Sequence, residues 1–257
     1  MPLSVSTPRG EANRLLAALP STAYAEFNEW CETVPTPLPM IISQAGQRIE
    51  YAYFTLSGCQ SIVTVDGGRT QAEVCTVGPE GMTGLSLLHG IDTVPTRCVV
   101  QAAGFAKRIL SIDFQRQLAR NAPLRALMHR YAQHSAEQTA QSVACNALHS
   151  VEQRFARWLL HAHDRIDSDV MPHTQESLAS MLAVRRASVS VVAESFRSRK
   201  VIIYSRGKIT LLDRARLEAA SCGCYAAVQS SYRRLLPAQA ARKPTGARRS
   251  SLVRRKV

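Results

Sequence analysis

Apolar residues along this chain change rhythm three times, and each change predicts a different kind of structure. After a polar, proline-bearing start, Asn13 to Leu19 and Tyr24 to Cys31 have the spacing of two short helices. From Pro35 to about Ile109 the texture becomes short β-like runs: Met40–Ser43, Tyr51–Leu56, Gln60–Val65, Gln71–Val77, Arg97–Ala102 and Phe105–Leu110. Turn residues separate them, at Ala45-Gly46, Ser57-Gly58, Asp66-Gly67-Gly68, Gly78-Pro79 and Gly104. Many short strands with glycine turns predict a sandwich or barrel. Gly84 to His89 reads as a short helix inside it.

Helical rhythm then returns. Pro123 suits the first turn of a helix reaching about Ser150, on which Leu124, Leu127/Met128, Tyr131, His134/Ser135, Gln138, Gln141/Ser142, Cys145 and Leu148 recur by threes and fours. That is the spacing of a coiled-coil seam, so dimerisation through this helix is expected. Val151 to Ile166 is a further amphipathic helix, with Phe155, Trp158, Leu159 and Ala162 at core spacing.

Residues His173 to Leu212 carry the most specific pattern. Thr174 is placed to cap a helix bearing Leu178, Met181 and Leu182 on one face; Ala183 and Val184 turn the chain. A second helix from about Arg185 to Ser198 packs Val189, Val192, Ala193 and Phe196 inward. Its other face holds Ala187, Ser190, Val191 and Glu194, with Arg185 and Arg186 in the first turn, where a recognition helix meets base edges. Val201–Tyr204 and Ile209–Leu212 then alternate as two strands around Ser205-Arg206-Gly207-Lys208. Helix, turn, helix and basic hairpin in that order predict a winged helix-turn-helix that binds double-stranded DNA. Arg185, Arg186, Ser188 and Ser190 are the expected base-reading residues, with Gln175, Arg206 and Lys208 on the backbone.

Charge supports an anionic partner. The 257 residues carry a formal +13, and 46% are hydrophobic, enough for two cored domains. Much of the excess follows Tyr225, and Gln229 onward has too little apolar pattern to fold alone. A sequence-independent nucleic-acid or anionic-surface binder working through that tail is therefore the alternative function. No secretory signal and no run of about 18 apolar residues is present, so a cytoplasmic protein without a membrane partner is expected.

Catalysis and bound metal are not expected. His161 and His163, two apart on a helix, point about 200° from one another and cannot share an ion. Cys222-Gly223-Cys224 could hold a soft metal or form a redox pair, yet no histidine lies near it in sequence. Cys145 reads as a buried small hydrophobe. The seven cysteines fit reduced thiols rather than a disulfide framework.

Residues 11 to 225 resemble bacterial Crp/Fnr-family transcription regulators. The resemblance rests on Ser150-Val151-Glu152-Gln153-Arg154-Phe155-Ala156-Arg157-Trp158-Leu159-Leu160, Thr174-Gln175-Glu176 with Leu178-Ala179, Val184-Arg185-Arg186-Ala187-Ser188-Val189, Arg206-Gly207-Lys208-Ile209 and the closing Cys222-Gly223-Cys224-Tyr225. It implies an α+β chain. The expected parts are an N-terminal segment with a short helix (1–20), a cyclic-nucleotide-binding-like β-roll of jelly-roll type (21–120), a dimerisation helix (121–150), a winged helix-turn-helix (151–220) and a basic, disordered tail (221–257). It also implies a homodimer on near-palindromic promoter DNA, with RNA polymerase as a further partner. The family's guanine-directed arginine matches Arg186, but its following glutamate is Ala187 here and the next outward arginine is Val191. In the ligand region Gly81-Met82-Thr83-Gly84 stands where nucleotide-binding members carry Gly-Glu-Leu, and Arg97 before Cys98 is displaced by about two positions from the phosphate arginine. Gly81, Met82, Arg97 and Cys98 are thus the expected ligand-site residues; no cofactor and no cyclic nucleotide are expected, which leaves either another small ligand or none. An iron–sulfur cluster is not expected, since Cys31 is the only cysteine near the N-terminus.

Overall fold

The computed structural model describes residues 12–67, 69–166 and 168–236. Its N-terminal half is a β-roll of two four-stranded antiparallel sheets. One sheet has the order β1 (Glu32–Thr36), β8 (Gly104–Leu110), β3 (Tyr51–Thr55), β6 (Met82–Thr83); the other runs β2 (Ile41–Ser43), β7 (Thr96–Ala102), β4 (Cys59–Asp66), β5 (Arg69–Val77). The expected strands are all present. Strands β1 and β6 are additions: β1 is a mostly exposed stretch without inward–outward alternation, and β6 has only two residues. The turn before β4 needs glycine, because Gly58 has φ +78° and a Cβ there would lie 2.5 Å from the Ala102 carbonyl oxygen.

Helices close the open end of the roll. Phe27 of α1 (Ser21–Asn28), Phe54 of β3 and Phe114 of α2 (Ser111–Arg120) meet edge-to-face, with centroids 5.3 and 6.0 Å apart. Leu15, Leu16 and Leu19 join this core, and so do Leu124, Leu127, Met128 and Tyr131 from the long helix. That helix, α3, spans Ala122–Leu148, with Pro123 in its first turn and the Asn121 side chain accepting from the Leu124 amide.

Most of the α3 positions expected to form a dimer seam are covered inside the chain, while Leu148 at its end is exposed. Leu124, Leu127, Met128 and Tyr131 pack on the β-roll, and His134, Gln138, Ser142 and Cys145 are covered as well. Their cover includes α8 (Cys224–Leu235), which lies along α3. Residues 221–236 are therefore not part of a disordered tail. Cys224, Val228, Ser231 and Leu236 are buried on one side of α8, a face that gains its meaning only from the α3 groove opposite. Residues 237–257, the remainder of the expected tail, lie outside the described residues.

Residues 151–220 form the winged helix-turn-helix as expected: α4 (Val151–His163), β9 (Val170–Met171), α5 (Gln175–Leu182), α6 (Arg186–Ser198), β10 (Ile202–Ser205), β11 (Lys208–Leu211) and α7 (Arg214–Ala220). A capping box between Ser150 and Gln153 starts α4. Its core stacks Phe155 on Phe196 at 5.6 Å, with Leu159, Leu178, Leu182, Val189, Ile209 and Leu217 around them. The two halves are joined by polar contacts. Trp158 Nε1 donates to Glu73 Oε1 at 2.9 Å, and Arg165 Nε donates to Glu80 Oε1 at 2.7 Å. Helix α5 packs beside β5.

Candidate nucleic-acid interface

Thr174 caps α5 by accepting from the Ser177 amide, as expected, and leaves the first turn of that helix facing outward. Ala183 adopts a left-handed conformation with φ +51°, turning the chain sharply into α6. Arg185 is the N-cap residue and Arg186 the first residue of α6; both are exposed. The wing turn places Arg206 and Gly207 at φ +49° and +72°, the two consecutive positive values that a tight hairpin of this hand requires. Thr174, Gln175, Arg186, Tyr204, Arg206 and Gly207 line one open cleft between the α5 N-terminus, the start of α6 and the wing.

Pairing separates the cations of this domain into two groups. Arg197 is held by Glu194 at 2.6 Å and Arg199 by Glu152 at 2.6 Å. Arg185, Arg186, Arg206 and Lys208 have no ion pair among the described residues. Burial raises the Tyr204 hydroxyl above the ordinary tyrosine value, and the neighbouring Arg186 charge opposes it. Arg186 thus stands beside the wing as well as on the recognition helix.

Of the seven expected DNA-binding residues, Gln175, Arg186 and Arg206 line this cleft and Ser190 is bonded to Gln175. The Ser190 hydroxyl donates to Gln175 Oε1 at 2.8 Å and also lies 3.1 Å from the Arg186 carbonyl oxygen. It positions Gln175 rather than projecting freely. Ser188 is half-buried in the first turn, while Val191 is 71% exposed in the middle of the outward face.

The expected ligand-site residues are divided between the two sheets. Gly81 and Met82 lie against α3: the Tyr131 hydroxyl accepts from the Met82 amide at 3.2 Å, and a Cβ on Gly81 would lie 2.1 Å from that hydroxyl oxygen. Arg97, on β7, donates to Gln44 Oε1 at 2.7 Å, and the adjacent Cys98 is buried. Glu80, which directly precedes this stretch, serves the joint between the halves. Burial opposes its ionisation, yet Arg165, Arg14 and nearby backbone amides hold its carboxyl below the ordinary range.

Three functional placements were missed in the sequence. Glu80 pairs with Arg165 across 85 residues, and Trp158 reaches Glu73 across the same separation. His149, the C-cap residue of α3, lies 3.5 Å from Cys224 Sγ, so the Cys-Gly-Cys segment does have a histidine neighbour. No local periodicity signals any of the three.

Residues 153–220 match the family model described as a Crp-like helix-turn-helix domain. No curated protein sequence matches the chain. Solved structures with a similar fold include FixK2 from Bradyrhizobium japonicum, at 13% identity and a TM-score of 0.63, covering 75% of this chain and 98% of that one. The c-di-GMP responsive global regulator CLP of Xanthomonas campestris aligns at 15% identity and a TM-score of 0.61, covering 75% of this chain and 99% of its own. A transcriptional regulator of the Crp/Fnr family from Eubacterium rectale aligns at 18% identity and a TM-score of 0.63, covering 80% and 96%. The chain carries a Crp-like helix-turn-helix domain within the fold of Crp/Fnr-family transcription regulators.

Proposed function

We propose that this protein is a sequence-specific DNA-binding transcription regulator that reads promoter DNA as a homodimer. The observation that carries this reading is that exposed, ion-pair-free Arg186 and Arg206 line the α5–α6–wing cleft, with exposed Arg185 and Lys208 close to them in the chain. In this reading Arg186 donates two parallel bonds to guanine O6 and N7. Arg206 and Lys208 neutralise phosphates, and Gln175, held by Ser190, contacts the backbone. Val191, with Ala187 one turn earlier, offers an apolar contact to a thymine methyl. The operator therefore differs from one read by a glutamate and second arginine at those positions.

Dimerisation uses the face of α3 opposite the covered seam. Gln133, Ala136, Ala140 and Val143 are exposed there at intervals of three, four and three, and the two alanines leave room for a second helix to approach. A two-fold axis along that face presents two α6 helices to successive major grooves, about 34 Å apart. RNA polymerase is the expected further partner at the promoter. A small ligand other than a cyclic nucleotide, acting on the β-roll, is the proposed input.

Sequencing DNA fragments selected by the purified protein tests the reading. The expected outcome is a near-palindromic site with half-sites one helical turn apart, still selected after deletion of residues 237–257. Recovery of unrelated fragments, or loss of all binding with the tail, supports the alternative of sequence-independent binding.

A further inference from the structure

The Cys-Gly-Cys turn that follows the winged domain lands on the far end of the long helix. Cys145 is in the last turn of α3, His149 caps it, Cys222 follows α7, and Cys224 begins α8. Cys145 Sγ and Cys222 Sγ are 3.5 Å apart, as are Cys224 Sγ and His149 Nδ1. One donor atom from each of the four residues lies within 4.8 Å of every other. A tetrahedral zinc ion, with Zn–S of about 2.3 Å and Zn–N of about 2.0 Å, needs donor–donor edges of about 3.5–3.8 Å. Small side-chain rotations bring the four donors to that size.

The surroundings suit thiolates around a cation. Cys145, Cys222 and Cys224 form a small buried cluster of their own, apart from both hydrophobic cores. Gln141 Nε2 lies 3.0 Å from Cys224 Sγ, the kind of hydrogen bond that orients and moderates a metal-bound thiolate. Three thiolates, a neutral imidazole and a divalent ion sum to −1, and the buried Arg157 lies close enough for its charge to act on Cys145. Arg154 is buried nearby, and the Nε atoms of both arginines have no hydrogen-bond partner. A Cys145–Cys222 disulfide would use two of the four donors and leave His149 and Cys224 unexplained. Thiolate and imidazole donors in a closed tetrahedral set favour zinc over magnesium, calcium or manganese.

We propose that Cys145, His149, Cys222 and Cys224 bind one zinc ion in a closed structural site. Bound there, the ion ties the end of α3, the α3–α4 joint and the start of α8 to one point, fixing how the reader domain leaves the long helix. The site lies outside the DNA-facing set of residues and does not depend on which DNA the protein reads.

The test uses the full chain without an affinity tag, purified in reductant, with metal content measured after gel filtration. The expected result is one zinc per chain. Replacement by cobalt should give thiolate-to-cobalt charge transfer and the intense visible bands of a tetrahedral site. Cys222→Ser and His149→Ala should each weaken zinc binding at least tenfold in competition with a chromophoric chelator, whereas Cys31→Ser, outside the cluster, should not. His149→Cys, which restores a fourth soft donor, should retain the metal. If the weakened variants fail to fold, the cobalt spectrum of the unaltered chain decides the question. Folded protein that neither contains zinc nor takes it up anaerobically overturns the proposal. So does unchanged affinity in folded His149→Ala, or a Cys145–Cys222 disulfide in place of bound metal.

Discussion

Replacing Arg165 by methionine tests whether the reader domain is fixed to the β-roll. Arg165 follows α4, and its side chain is 5% exposed; that of its partner Glu80 is 11% exposed. The 2.7 Å bond between them is supported by Arg165 Nη1 donating to the His161 carbonyl at 2.8 Å. Methionine keeps an apolar stem over Gly78, where the arginine Cγ now lies close, but leaves the carboxylate with the Gly78 amide and the half-exposed Arg14. Removing one member of a buried ion pair costs about 3–5 kcal/mol, because the remaining charge stays desolvated. The assay is urea unfolding followed by the fluorescence of Trp30 and Trp158, which report on the two halves. Arg165→Met should lower stability by about 3–5 kcal/mol, and adding Glu80→Gln should recover much of that loss. A cost below about 1 kcal/mol, with additive effects in the double variant, would refute the reasoning: the pair would then be water-exposed and the halves not docked.

Three further outcomes follow from the same geometry. Arg206→Ala and Lys208→Ala should weaken binding to all DNA sequences alike, each lowering the slope of log affinity against log salt by about 1, as read by fluorescence anisotropy across a salt series. Gly81→Ala places a Cβ against Tyr131, a side chain anchored to the Met82 backbone, and should cost about 1–3 kcal/mol in thermal unfolding. Acid should destabilise the fold through His134 and His173, both held neutral and lowered to about 4 by burial. For His134, Glu80 and Glu137 favour the proton and Arg165 opposes it. Because their folded values lie below the ordinary 6.5, their stabilising contribution is full above that pH and is lost as pH falls towards 4. Each should cost about 2 kcal/mol at pH 5 relative to pH 7, measured by urea midpoints, and His134→Gln should reduce the dependence.

The reader domain was legible because its information is local. Thr174 as a cap, the inward set Val189, Val192, Ala193 and Phe196, and glycine in the wing turn each follow from neighbours a few residues away. The β-roll was legible where glycine turns punctuate apolar runs, and illegible at the exposed β1 and the two-residue β6, which hold their places through their partners β8 and β3. Three-and-four spacing on α3 was real but ambiguous: such a seam can face a second chain or this chain's own β-roll and α8, and most of it takes the second option. Helix α8 itself is too polar to be recognised alone; its Tyr232 and Leu235 pack on a cluster whose other members, apart from the adjoining Leu236, lie about 100 residues earlier or more. Long-range pairs such as Glu80 with Arg165, or His149 with Cys224, carry no spacing for a single sequence to reveal.

Arg186 is the residue on which the central claim turns. Binding of Arg186→Ala should be measured on the selected operator and on each of its single-base variants at physiological salt. The expected result is a loss of about 1–3 kcal/mol concentrated at one base pair, with that position no longer discriminated and the others read as before. Equal weakening on every sequence would make Arg186 a phosphate contact only and contradict base reading by α6.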